Sequence, residues 1–403
     1  MRILIADRLA GFVSQVLESA GCAVTVDASL KGPALAEALQ RVDPDVLVVR
    51  STKITPDHLA RAGRLSLIVR AGAGTNTIAV DQASARGVYV ANCPGRNAIA
   101  VAELTMGHLI NLDRRIVDNV ESLRAGRWEK KRLGRARGLH GRTLALLGIG
   151  QIGREVIKRA HAFGIQVRAW SRSLTAEQAE ALGVTFAATP LEACRGADML
   201  SIHLAKTAET EGLVGSDLLE ALAPGAYVVH TARGGIVDEK ALIDAMDSRN
   251  IRAGLDVYTN EPAGGDPLFT DDAIGRHPNM YGTHHIGAST DQATESVGHE
   301  VIRIIQTYQL EGSVLNCVNL AQETAATHLL VVRHADRVGV LASVLNALKG
   351  DDVNVQEMEN IVFRGATAAC ARIQINCPPS PATLAMLESN PDIFATSLVS
   401  LEG

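Results

Sequence analysis

Short apolar runs separated by amphipathic stretches fill the first three quarters of the chain. Ile3-Leu4-Ile5-Ala6 reads as a buried strand. A helix over 9–20, strands at 23–26, 45–49 and 67–69, and helical spacing between them follow. Apolar runs that alternate with helices predict an open parallel sheet covered on both faces. Asn92-Cys93-Pro94-Gly95 breaks this unit. Residues 97–123 then read as one long helix with Asn97 as its N-cap. Strands are next expected at 143–147, 166–170, 184–186, 198–202, 226–230, 251–255 and 279–282, with helices between them, which predicts a full doubly wound domain. A helix over 290–311 returns the chain to the first unit.

The pattern changes after a polar linker at 316–324. Strand, helix, strand, strand, helix and strand are expected at 329–332, 338–348, 354–363, 366–375, 382–387 and 394–401. Arg364-Gly365 marks a hairpin turn. This βαββαβ order is a small split-βαβ unit with an antiparallel sheet. The fold class is therefore α/β, with two doubly wound parallel-sheet domains and a C-terminal α+β domain. The expected ranges are 1–96 with 286–318, then 97–285, then 325–403.

Composition changes this picture little. A chain of 403 residues suits two or three domains, and 47% apolar residues is ordinary. A net charge of −5 gives no basic field for nucleic acid. Six scattered cysteines form no C-x-x-C pair, so neither a metal site nor a disulfide framework is expected, and reduced thiols in the cytoplasm are. The opening Met1-Arg2-Ile3-Leu4-Ile5-Ala6 is too short for a signal-peptide core. No run of 18 apolar residues exists, so no membrane span is expected.

The candidate chemistry starts at Gly148-Ile149-Gly150-Gln151-Ile152-Gly153, between a predicted strand and a predicted helix. In that setting the first glycine permits the tight turn, the second lets backbone approach a pyrophosphate, and the third lets helix pack on strand. The helix N-terminus adds unpaired N–H groups for the phosphates. Two loops of the first unit follow strand ends: Arg50-Ser51-Thr52-Lys53, and Arg70-Ala71-Gly72-Ala73-Gly74, whose glycines bring backbone N–H groups close to a small anion. Basic residues between Arg124 and Arg142, including Lys130 and Lys131, suit either a solvated linker or an anion-recruiting site. Downstream lie Arg233, Glu261 and His285, each near a strand end. An arginine fork holds a carboxylate bidentately, and a histidine beside a carboxylate stays protonated near neutral pH. Beside a nicotinamide, that trio suits hydride transfer at a carbon next to a carboxylate.

These motifs together resemble the D-2-hydroxyacid dehydrogenases, over nearly the whole chain. The carriers are Arg70-Ala71-Gly72-x-Gly74, Ala102-Glu103-Leu104-Thr105, Gly126-Arg127-Trp128-Glu129, the glycine loop, Ala232-Arg233-Gly234-Gly235-Ile236-Val237-Asp238-Glu239, Leu255-Asp256-Val257, Glu261-Pro262 and His285-Ile286-Gly287-Ala288-Ser289. The resemblance implies that Arg233 binds the substrate carboxylate, that Glu261 partners the acid/base His285, and that Asp256 contacts the nicotinamide end. It adds Ala232 and Gly287 to the cofactor surroundings. It places Arg50, with Lys130 or Lys131, at a substrate phosphate. The tail resembles an ACT domain in His334-Ala335-Asp336-Arg337-Val338-Gly339-Val340-Leu341 and Val353-Asn354-Val355. That likeness implies a serine effector bound by His334, Asp336 and Asn354 across a pair of chains, and favours the branch of the family that oxidises D-3-phosphoglycerate to 3-phosphohydroxypyruvate, the first step toward serine. A homodimer or homotetramer is expected.

Some positions depart from the family pattern. The segment after the second strand of the nucleotide unit reads Trp170-Ser171-Arg172-Ser173, without the carboxylate an NAD enzyme uses for the ribose 2′-OH. Ser171 and Arg172 suit a 2′-phosphate, so NAD and NADP both stay open. Ala73 and Leu204 stand where phosphoglycerate enzymes often carry threonine, and Asp336 where asparagine is expected. An NADP-dependent hydroxypyruvate or glyoxylate reductase is the first alternative. A non-catalytic nucleotide-sensing regulator is the second, and the presence of Arg233, Glu261 and His285 together weighs against it.

Overall fold

Three sheets carry the described residues. A computed structural model describes residues 1–262, 268–269, 272–321 and 323–401. The expected domain ranges also include 263–267, 270–271 and 402–403, which lie outside the described residues. The first sheet is parallel and contains β1 (Arg2–Ile5), β2 (Ala23–Val26), β3 (Val46–Val49), β4 (Leu67–Arg70) and β5 (Tyr89–Asn92), in the order β2-β1-β3-β4-β5. The fifth strand was not among those expected: four residues run straight into the Pro94-Gly95 turn, so they read as its lead-in. The first helix is shorter than expected, Phe12–Ser19. The Asp291–Glu311 helix returns to this sheet, where Val297, Val301, Ile304 and Ile305 share a core with Ile3, Val13 and Leu17.

The second sheet is also parallel. Its strands are β6 (Thr143–Leu147), β7 (Gln166–Trp170), β8 (Thr185–Phe186), β9 (Met199–Ile202), β10 (Tyr227–His230), β11 (Arg252–Leu255) and β12 (Met280–Gly282), in the order β12-β11-β10-β9-β6-β7-β8. The build direction reverses at β6, so the ligand crevice of this topology lies outside the carboxyl ends of β6 and β9. Among the described residues no helix is long and apolar enough to cross a membrane.

The single helix expected over 97–123 is two helices, Ala98–Arg114 and Ile116–Arg124, separated by Arg115 in the left-handed region at φ 50°. Asp113 explains the break. Its buried carboxylate accepts from Gly138 N and from Tyr227 Oη, and lies 3.6 Å from Arg142. Arg115 then turns outward and pairs with Asp118 at 2.9 Å. Asn97 stands at the N-cap position, but its side chain makes no capping bond.

Residues Leu320–Gly403 form a separate compact unit. Its strands are β13 (His328–Ala335), β14 (Val355–Val362), β15 (Ala368–Ile375) and β16 (Ile393–Ser400), antiparallel in the order β14-β15-β13-β16. The helices Val340–Gly350 and Pro381–Ser389 cover one face through Val344, Leu348 and Leu387. β13 and β14 both pair with β15, and both His328 and Val355 stand opposite Ile375.

Candidate active site

The glycine loop, Ser171, Arg50, Arg70, Arg233, Glu261 and His285 all stand at or after the carboxyl ends of strands in the two parallel sheets. Gly148 has φ +99°, and a Cβ there would lie 2.5 Å from the His203 carbonyl oxygen. A Cβ on Gly153 would collide with the Gly148 carbonyl. A Cβ on Gly150 would meet no atom within 4 Å, so the space above the first turn of the Gln151–Ala162 helix is open. Two glycines therefore make close packing, and the third leaves room, which fits a pyrophosphate on that helix N-terminus. Gln151 lies across Gly95, and Ile152 packs at the edge of the nucleotide-domain core. Ser171 is half-buried and Arg172 exposed, directly after β7.

Asp7, not singled out in the sequence, organises the Arg50 loop. Its carboxylate accepts from the backbone N–H groups of Arg50, Ser51 and Thr52 at 2.7, 3.0 and 2.9 Å. Burial pushes the Asp7 carboxyl up, but these bonds outweigh it and leave it below the usual carboxylate value. Arg70 sits next to this loop. Burial, then the charges of Arg233 and Arg50, hold its pKa below the ordinary arginine value, and its buried Nε has no hydrogen-bond partner among the described residues. The Arg70 guanidinium folds over Gly72, where a Cβ would collide with Nη1. Gly74 plays the same part for Arg233, whose Nη2 lies 2.8 Å from where a Cβ would stand. Ala73 is half-buried, and its carbonyl accepts from Asn92 Nδ2 at 2.6 Å. Two guanidiniums, Arg70 and Arg233, thus lie over one glycine loop, with the charge of Arg50 close enough to act on Arg70, a grouping that calls for an anion.

Arg233 follows β10 and its turn is fixed from within. Its Nη1 donates to the buried Ala232 carbonyl at 2.6 Å. His230 Nε2 donates to the Arg233 carbonyl at 2.8 Å. Burial pushes His230 down to about 4 and His203, beside it, to about 3, so both rings are neutral at ordinary pH.

Glu261 and His285 meet. His285 Nδ1 donates to Glu261 Oε2 at 2.8 Å, and Glu261 Oε1 accepts from Tyr258 N at 3.1 Å. The Glu261 bond raises the His285 pKa above its ordinary value; burial opposes, the charges of Glu261 and Asp256 assist, and Arg233 opposes. Burial raises the Glu261 carboxyl, but the bond from His285 and its charge leave it below the usual range. Asp256 is 1% exposed and its carboxylate is fully engaged beneath the His285 turn. It accepts from Thr283 Oγ1 at 2.7 Å, Ile286 N at 2.8 Å and Gly287 N at 2.9 Å. A Cβ on Gly287 would stand 2.9 Å from Asp256 Oδ2, so glycine is needed for that approach.

Other expected residues stand elsewhere. Lys130 and Lys131 are exposed on the Lys130–Leu133 turn. Lys130 lines a groove of about 210 Å³ with Leu123 and Trp128, and that groove contains none of the arginines above. In the C-terminal unit His334 is buried, with Nδ1 donating to the Ala335 carbonyl at 2.8 Å and Nε2 3.1 Å from the Asn360 side chain. Asp336 is half-buried and Asn354 exposed. They lie just past the end of β13 and just before the start of β14, strands that run the same way, hence at opposite ends of the sheet. At about 3.4 Å per residue, that is roughly 30 Å apart within one chain.

Comparison with known proteins agrees with this geometry. Residues 106–287 match the family model of the D-isomer specific 2-hydroxyacid dehydrogenase NAD binding domain. D-3-phosphoglycerate dehydrogenase of Methanocaldococcus jannaschii is 38% identical over 328 residues, which cover 80% of this chain and 61% of that relative. The chain therefore spans less than two thirds of that relative's length. Among solved structures, the NAD⁺-bound 3-phosphoglycerate dehydrogenase of Entamoeba histolytica aligns with TM-score 0.65 and 27% identity over 79% of this chain and 99% of the other. The NADPH-dependent glyoxylate/hydroxypyruvate reductase of Sinorhizobium meliloti aligns with TM-score 0.66 and 27% identity over 79% and 97%.

Proposed function

We propose that the chain is a D-isomer specific 2-hydroxyacid dehydrogenase and that it oxidises D-3-phosphoglycerate to 3-phosphohydroxypyruvate, the first step toward serine, a reading supported by the family match over 106–287 and by the phosphoglycerate dehydrogenase relatives. The observation that carries this reading is the His285–Glu261 pair together with the Arg50, Arg70 and Arg233 cluster. Arg233 holds the substrate carboxylate with its fork, and N–H groups of the Arg70–Gly74 loop close around it. His285, its Nδ1 committed to Glu261, takes the C2 hydroxyl proton on Nε2. Glu261 stabilises the imidazolium that forms. A nicotinamide held by the glycine loop would supply the hydride acceptor for C2. In reduction, His285 returns the proton to the carbonyl oxygen. Arg8, Arg50, Ser51 and Ser289 line a cleft of about 480 Å³ suited to the substrate phosphate. Gly148, Gly150, Gln151, Ile152 and Gly153 would hold a cofactor pyrophosphate, and Ala232 and Gly287 would border the cofactor; Asp256 supports the His285 turn from beneath.

Turnover with D-3-phosphoglycerate and with hydroxypyruvate, each with both cofactors, tests the reading. Preference for 3-phosphoglycerate supports it. Preference for hydroxypyruvate with NADPH selects the second reading, a hydroxypyruvate or glyoxylate reductase, which Ser171-Arg172 favours. No turnover with any 2-hydroxy acid selects a nucleotide-sensing regulator.

The proposal extends to organisation. The division into 1–96 with 286–318, 97–285 and 325–403 is supported by the three sheets and by the return of the Asp291–Glu311 helix. Homodimers or homotetramers are supported by Ile116, Val117, Val120 and Leu123, apolar residues exposed together on the Ile116–Arg124 helix. Lys130 and Lys131 adjoin that face, so their role at the substrate phosphate is proposed from one chain into the other. Six cysteines without disulfides support a reducing, cytoplasmic location. Serine is proposed as an effector bound by Asp336 of one chain and Asn354 of another; His334, expected beside them, is buried with both ring nitrogens engaged and presents no group to it.

A further inference from the structure

The hydrogen bonds beneath the His285 turn continue beyond Asp256 to a helix on the far side. Thr283 Oγ1 donates to Asp256 Oδ1 at 2.7 Å. A hydroxyl has one proton, so its contact with His108 Nε2 at 3.2 Å is one in which the histidine donates. The order is fixed along the line: His108 Nε2–H to Thr283, Thr283 O–H to Asp256, and Asp256 receiving the N–H groups of Ile286 and Gly287, the two residues after His285, one on each oxygen. His108 is 5% exposed, and burial holds its pKa below the ordinary value, so the neutral, single-donor form persists.

The packing is built around the same line. Gly254 lies inside β11, where glycine weakens a strand unless something approaches closely. A Cβ there would stand 2.9 Å from Cβ, Cγ and Nδ1 of His108. Glycine at 254 thus makes room for His108, as glycine at 287 makes room for Asp256. One turn earlier on the same helix, Thr105 Oγ1 lies 3.1 Å from Thr231 Oγ1, two residues before Arg233. The Ala98–Arg114 helix therefore backs both functional turns.

We propose that His108 is a positioning residue for His285, acting through Thr283 and Asp256 to hold the acid/base turn in register. The proposal rests on the reading of His285 as the acid/base group. His108 itself touches no reacting atom.

The test uses the full-length protein and four variants: His108→Phe, which keeps the ring and removes the donor; His108→Gln, which restores a donor; Thr283→Val, which breaks both links; and the His108→Phe/Thr283→Val pair. The expected result is a fall in kcat of about tenfold or more in His108→Phe, with cofactor Kd unchanged, and substantial recovery in His108→Gln. The double variant should match Thr283→Val alone, because one line can be cut only once. Histidine resonances followed by NMR through a pH titration give a readout that needs no substrate. The ring of His285 faces Glu261, Asp256 and Arg233, so loosening the turn should move its titration toward acid in His108→Phe and Thr283→Val. Unchanged kcat with an unchanged His285 titration, or additive losses in the double variant, would overturn the proposal. A wild type silent on all 2-hydroxy acids would count against the dehydrogenase reading instead, and the titration would still judge the relay.

Discussion

Nδ1 of His285 lies 2.8 Å from Oε2 of Glu261, and the histidine reaches it from a left-handed backbone, φ +53°. A residue other than glycine pays about 1 kcal/mol or more for that conformation. Asp256 offsets the cost by receiving the next two backbone N–H groups. The strained turn aims the ring with Nδ1 toward the carboxylate, which leaves Nε2 as the nitrogen for substrate.

Glu261→Gln should lower the His285 pKa in the free enzyme. The native bond raises that pKa, and an amide favours imidazolium far less than a carboxylate does. Reduction needs protonated His285, so its rate falls as pH rises through the pKa; with a lower pKa the fall comes earlier and the optimum moves toward acid. Oxidation needs the neutral ring, so its activity should extend to lower pH. Profiles of kcat/KM in both directions check the sign, and a profile that does not move would separate Glu261 from His285.

Arg233→Lys keeps the charge and loses the fork. Nη1 now braces against the Ala232 carbonyl, and Nη2 lies over Gly74. An ammonium cannot occupy both places. We expect kcat/KM to fall by the equivalent of about 2–4 kcal/mol, with cofactor binding intact. Kinetics equal to wild type would remove Arg233 from the site.

Much of this was legible in the sequence, for local reasons. The glycine loop announces itself because strand, turn and helix are contiguous. Arg233, Glu261 and His285 each follow a strand end, where α/β sheets bind ligands. The tail declares its strand and helix order through periodicity alone. What was hidden depends on contacts distant in sequence. Arg115 breaks a helix with neither glycine nor proline nearby, because Asp113 is drawn to Gly138 and Tyr227. Asp7, Thr283 and His108 look like ordinary polar residues until the fold sets them under the Arg50 and His285 turns. Gly254 was the one local hint, a glycine inside a strand.

Ser171→Asp should move cofactor preference toward NAD. The residue stands half-buried at the end of β7, beside exposed Arg172. A carboxylate there would accept from the ribose hydroxyls and repel a 2′-phosphate. The ratio of catalytic efficiencies with the two cofactors should shift by about tenfold or more between wild type and variant. If the wild type already prefers NAD strongly, Ser171-Arg172 does not select NADP.

The last prediction concerns serine. Asp336 and Asn354 stand at opposite ends of one four-stranded sheet, so a single chain cannot offer both to one small amino acid. His334 is buried with both ring nitrogens engaged, which leaves the exposed Asn354 and the half-buried Asp336 as the groups to present. A serine site that uses both must be assembled from two chains, with Asp336 of one receiving the ammonium and Asn354 of the other the carboxylate or hydroxyl. β14 is an edge strand with little cover and apolar Met358, Ile361 and Val362 exposed, which suits such pairing. Asp336→Ala and Asn354→Ala should each abolish serine binding alone, because every site then lacks one half. Mixed and allowed to exchange subunits, the two variants form hybrid pairs holding one whole site and one doubly broken site. Titration calorimetry on the full-length mixture should then recover serine binding, up to about a quarter of the wild-type stoichiometry, since about half the random pairs are hybrids and each has one of two sites intact. No binding by the wild type at millimolar serine would end the effector reading. Binding by wild type without recovery on mixing, once exchange is confirmed, would place the site within one chain.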